Sequence, residues 1–145
     1  MATFSTKYGF GIAVALIAYF LLTKLAGLHG YPILSAFNGV IFGVGILYAL
    51  VTFKKTIPEF NYADGFQVGL FTGGIASIVF SVFMAFYIFI FDQQFAHAVL
   101  DSYHLNFNKG SLILVVSTLI MGFSTTCVLT LAFMQLLKES WNQKA

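Results

Sequence analysis

The sequence predicts an all-α protein: a four-helix transmembrane bundle forming one integral membrane domain over residues 1–145. Three observations predict it. Of the 145 residues, 59% are hydrophobic and only 8% are charged, against about 25% charged in an ordinary soluble domain. Four apolar runs, at residues 8–28, 33–53, 68–91 and 111–137, each reach the roughly 20 residues that a helix needs to cross a bilayer core. None of the runs has a polar face to turn toward water, which a soluble helical core requires. Inside lipid, every backbone donor and acceptor must be satisfied within its own segment, so the runs become helices.

The first run, Tyr8 to Leu28, is interrupted only by Lys24 near its end. It follows Lys7, but it is long for a signal-peptide core, and Ala26-Gly27 is a poor cleavage site, so it reads as a retained span. Gly30, Tyr31 and Pro32 make a tight connection, which sets the first two helices antiparallel. The second run, Ile33 to Phe53, carries no charge. Lys54 to Phe66 is a polar link in which Pro58 prevents a continuous helix. Asp64, just ahead of the third span, is placed to cap that helix and complement its dipole. The third span is Val68 to Phe91 and the fourth Ser111 to Leu137, joined by the longest connection, Asp92 to Gly110. In the tail, Trp141 stands where an interfacial aromatic anchor belongs.

All seven basic residues are lysines, and five acids leave a formal charge of +2. That is too weak and scattered for a nucleic-acid-binding face. Lysine placement sets orientation. Lys7, Lys54, Lys55, Lys138 and Lys144 fall on the side of the termini, and only Lys24 and Lys109 on the other. The positive-inside rule then places both termini in the cytoplasm.

Lipid tails are as apolar as leucine, so helices associate in a membrane through close approach at small residues and through interhelical hydrogen bonds. The third span carries such a row at Gly69, Gly73, Ser77, Ser81 and Ala85. The second has Ser35, Gly39 and Gly43, and the fourth Gly122, Thr126 and Thr130. These rows read as packing seams within the bundle or between copies of it. Asn38, Ser124 and Thr125 are candidates to line a small polar cavity, although such hydroxyls more often bond back to their own helix. Cys127, the single cysteine, reads as a small buried hydrophobe.

No Asp, Glu, Arg or His lies in the central part of any span, which argues against a proton relay or ion-coupled transport. In the third connection, Gln93, His97, Asp101, His104 and Asn108 share one face if the segment is helical. A short interfacial helix is expected there, apolar side down. His97, Asp101 and His104 have the residue types and spacing of a metal site, and equally of that helix's wet face. The acids all sit in links or tails, and no glycine-rich nucleotide loop with a lysine occurs, so neither an enzyme nor a bound cofactor is expected.

The passage Phe60-Asn61-Tyr62-Ala63-Asp64-Gly65-Phe66-Gln67-Val68-Gly69-Leu70 resembles the polar link and glycine-containing third span of the domain-of-unknown-function 4199 family. Phe66, Val68 and Gly69 match best, and Ala63-Asp64-Gly65 stands where that family more often has Gly-Gln-Ala. These are small four-span integral membrane proteins frequent in Bacteroidota. The resemblance implies a bacterial inner-membrane location and supplies no catalytic residues. The expected function is that of a non-enzymatic multi-pass membrane protein, a structural or accessory subunit of a larger envelope complex. Its partners are then the lipid bilayer and a membrane protein or further copies of itself. The alternative is a small carrier for a neutral or lipidic solute.

Overall fold

The computed structural model describes residues 2–27, 32–91 and 110–137. These form four long helices and no strand: α1 (Ala2–Leu25), α2 (Pro32–Thr56), α3 (Tyr62–Phe86) and α4 (Gly110–Leu137), with a π-helical turn, Tyr87–Phe91, continuing α3. All four helices are long and apolar enough to cross a membrane. His29, the Gly30-Tyr31 turn, the expected surface helix with His97, Asp101 and His104, and the tail with Trp141 lie outside the described residues, as does the Ser35 side chain.

The helices run past the apolar stretches into polar sequence. α1 opens at Ala2, well before Tyr8, and the Thr6 hydroxyl donates to the Ala2 carbonyl (2.8 Å). α2 starts at Pro32, whose fixed φ suits a first helical position. It continues through Lys54 and Lys55, whose charges complement the negative end of the helix dipole. The link containing Pro58 therefore shrinks to residues 57–61. Asn61, in extended conformation, is the N-cap of α3 without a side-chain bond, and Asp64 sits inside the first turn. Asp64 thus complements the helix dipole rather than capping the helix. At the end of α1, Gly27 adopts φ 71° and its N–H donates to the Lys24 carbonyl (3.0 Å). Only glycine takes this left-handed helix stop without strain.

α3 is the hub. α1 and α4 pack most extensively on it, while α2 touches α1 and α3 and meets α4 more lightly. The core centres on Ile12, Leu16, Ile46, Leu50, Val68 and Met134, with a second cluster of Phe20, Met84, Tyr87 and Ile88. Outward, large apolar side chains stand bare: Val14 is 62% exposed, Val44 62%, Phe71 59% and Val128 66%. Such continuous apolar surface is a liability in water and matches hydrocarbon. The structure is that of a multi-pass membrane protein.

Candidate helix-packing site and its buried hydroxyls

The residues with the most constrained surroundings lie between α3 and α4. A Cβ built on Gly69 would fall 2.5 Å from Thr130 Cγ2, and one on Gly73 would fall 2.5 Å from Thr126 Oγ1. On Gly122 it would fall 2.5 Å from Ser77 Oγ, and on Gly65 it would fall 2.7 Å from Met134 Sδ. The pairings therefore climb α3 by four residues while descending α4 by four, as antiparallel helices in constant register must. The glycine row of α3 provides the groove, and the β-branched threonines of α4, stiff at χ1, are the ridge that fills it.

The hydroxyls at the centre of the seam are internally satisfied. Ser77 Oγ donates to the Gly73 carbonyl (2.8 Å), and Thr126 Oγ1 donates to the Gly122 carbonyl (2.7 Å). On each side a hydroxyl returns to its own helix one turn back, at the glycine that receives the other helix's hydroxyl-bearing residue. One turn further on, the pattern breaks. Thr130 and Ser81 are buried, and neither hydroxyl has a hydrogen-bond partner. Ser5 and Thr72 are orphaned in the same way.

Two neighbouring faces of α3 do different work. Val68, Thr72 and Ala76 are fully buried one stripe over from the glycines. α1 approaches this side at Gly9, where an added Cβ would lie 2.9 Å from the Thr72 carbonyl oxygen. Ser5, Gly9 and Ala13 on α1 are all buried and spaced by four. Opening the first span at Tyr8 conceals this row by leaving Ser5 outside it. Gly45 of α2 is similarly close to α1, 2.5 Å from Ile12 Cγ1 by the same construction.

The small-residue rows thus separate by role. Gly69, Gly73 and Ser77 form the α3–α4 seam, and Ser81 is buried further along it. Gly43 is buried, with an added Cβ lying 3.6 Å from Leu129 Cδ1. Gly39 takes no part in packing among the described residues of the chain: it is exposed, and an added Cβ would meet nothing within 4 Å. The contacts of α2 with α4 lie further along α2, where Gly43 faces Leu129 and the Lys54 ammonium donates to the Leu137 carbonyl (3.1 Å).

Of the three cavity candidates, Asn38 and Thr125 are half-buried and Ser124 is exposed. Asn38 is half-buried, its Oδ1 without a partner, one turn from Leu34, whose carbonyl accepts from the Tyr19 hydroxyl of α1 (2.8 Å). Ser124 is exposed, Thr125 is half-buried, and Thr126 alone of the three enters the seam. Consecutive residues on a helix point 100° apart, so Thr126 enters the seam while its sequence neighbours face elsewhere. Cys127 is exposed rather than buried, for the same reason. Lys24, at the end of α1, lies 4.2 Å above the Tyr87 ring centroid, with Phe20 edge-on to the same ring at 5.2 Å.

Over residues 7–111, well more than half of the chain, the sequence matches the model of a family described as protein of unknown function (DUF4199). The chain belongs to this family. In this DUF4199 protein the matched stretch holds α1 from Lys7 onward, all of α2 and α3, and ends as α4 begins. It therefore contains the glycine groove, while the threonine ridge that fills it lies beyond. The passage Phe60–Leu70 has a clear place in the packing: Gly65 admits the Phe60 ring and Met134, and Gly69 admits Thr130. No curated protein and no solved structure matches the chain.

Proposed function

We propose that this DUF4199 protein is a non-enzymatic accessory or structural subunit of a larger membrane complex in a bacterial inner membrane, with both termini cytoplasmic. One observation carries the reading. Among the described residues, the buried polar side chains are hydroxyls alone: Ser5, Thr72, Ser77, Ser81, Thr126 and Thr130. Hydroxyls of this kind join helices, whereas proton relays and ion-coupled carriers place ionisable groups at membrane depth. Lys7, Lys54 and Lys55, on the side of the N-terminus and the second link, support the orientation.

The test is affinity isolation from membranes in mild detergent at native expression level. A second protein recovered in fixed stoichiometry is the expected result. Recovery of this chain with no other protein in fixed ratio overturns the proposal.

A further inference from the structure

Exposed Ser and Thr side chains on α1 and α2 stand within the first or last two turns, at Thr3, Thr6 and Thr56, and α3 has none. α4 differs. Ser124 is exposed at the midpoint of Gly110–Leu137, and Ser117 is exposed two turns from its start. Thr118 and Thr126 on the same helix bond to carbonyls one turn back. Among the described residues, Ser117 and Ser124 have no hydrogen-bond partner.

Their direction is specific. At 100° per residue, Ser117, Ser124 and Gln135 point within about 20° of the line directly opposite Thr126, away from the internal seam. They belong to an exposed row, Ser117, Met121, Ser124, Val128, Leu131 and Gln135, with alternating steps of four and three. That alternation is the repeat of a left-handed two-helix contact, and here it spans roughly 27 Å of helix. α4 is also the least enclosed of the four helices, with Thr126, Thr130 and Met134 the only buried residues among those described on it.

We propose that this outward face of α4, centred on Ser124, pairs with the same face of a second copy of the chain. Hydrocarbon cannot satisfy a hydroxyl or a carboxamide, so lipid is a poor occupant of the row. A two-fold interface must be self-complementary. Hydroxyls and carboxamides both donate and accept, so each meets its own counterpart across the axis. No residue of the row is charged, so a copy does not repel itself. Copies inserted in one orientation are related by an axis along the membrane normal. The two α4 helices then run parallel, Ser124 against Ser124. The inference goes beyond the accessory role and does not rest on it.

The test uses the full chain in native membranes on a Cys127→Ser background. Single cysteines are placed on the row (S117C, S124C, V128C) and off it at other exposed positions (V116C, L136C), then oxidised with copper phenanthroline. The expected result is a product of twice the monomer mass, several-fold stronger at the row positions than at Val116 and Leu136. V128C replaces S124C if the latter does not accumulate. In the cysteine-free protein, fluorescence energy transfer between two labelled populations in proteoliposomes measures the dimer on lipid dilution. Ser117→Ala combined with Ser124→Ala weakens it about sevenfold, the worth of two average interhelical hydrogen bonds in lipid. Three results overturn the proposal: equal cross-linking on and off the row, no cross-linking on the row, or a product whose mass shows a different partner chain.

Discussion

Gly73 of α3 lies directly against Thr126 of α4, and the relationship is returned one turn away, where Gly122 of α4 lies against Ser77 of α3. Each hydroxyl is tied to its own backbone, so the contact is a shape match more than a polar bond across the interface. The groove has no spare volume, and the neighbour is a stiff β-branched side chain.

Gly73→Ala therefore forces the helices apart or strains Thr126. Overpacking of this kind costs about 1–3 kcal/mol. Gly39→Ala, where an added Cβ meets nothing within 4 Å, changes stability by less than about 0.5 kcal/mol. Unfolding by SDS in mixed micelles, followed by near-UV circular dichroism, separates the two. Equal midpoints for both variants would remove the seam as the element that holds α4.

The two buried threonines of the seam differ in sign. Thr126 gives its hydroxyl to the Gly122 carbonyl, so Thr126→Val removes a made bond and costs about 0.5–1 kcal/mol. Thr130 is fully buried with its hydroxyl unpartnered. Thr130→Val replaces that hydroxyl by a methyl of similar shape and raises stability by about 1 kcal/mol. The same SDS titration reads both. A loss at Thr130 comparable to that at Thr126 would mean that its hydroxyl has a partner.

The fold was legible because a bilayer leaves few choices: four apolar runs of sufficient length become four helices. The α3 row was legible for a related reason, since small residues four apart share one helix face whatever the neighbour. Which neighbour fills the groove was not legible. Gly39 and Gly43 belong to one row spaced by four, yet only Gly43 meets another helix of the chain, and no local pattern encodes where two helices come into contact. The α1 row was overlooked for a different reason. Hydropathy marks where lipid begins, whereas the helix begins earlier, and Ser5 lies in the polar turn between those limits.

Lys54 joins three elements: the last turn of α2, the Phe60 ring of the link at 5.8 Å, and the terminal carbonyl of α4. A cation at a helix C-terminus is worth about 0.3–1 kcal/mol where exposed and more where partly buried. Lys54→Met keeps the alkyl stem and removes the charge, so it isolates this contribution. Its expected cost is about 1 kcal/mol, with faster amide exchange confined to the last turn of α4. Uniformly faster exchange along α4 would instead show that Lys54 acts through the whole bundle.

Tyr19 clamps the other end of the α1–α2 pair. Its hydroxyl donates to the Leu34 carbonyl in the first turn of α2, across a connection that begins at the Gly27 helix stop. A helical carbonyl has a second lone pair for such a bond, so α2 loses nothing by accepting it. Tyr19→Phe removes one oxygen and keeps the ring. At the strength of hydrogen bonds between membrane helices the cost is about 0.6 kcal/mol. That is small in a global titration but visible as increased exchange in the first turns of α2. The Lys54 end should not respond, because it is separated from Leu34 by roughly five turns of helix. Unchanged exchange near Leu34 in the phenylalanine variant would show that the ring alone, packed between the helices, holds this end closed.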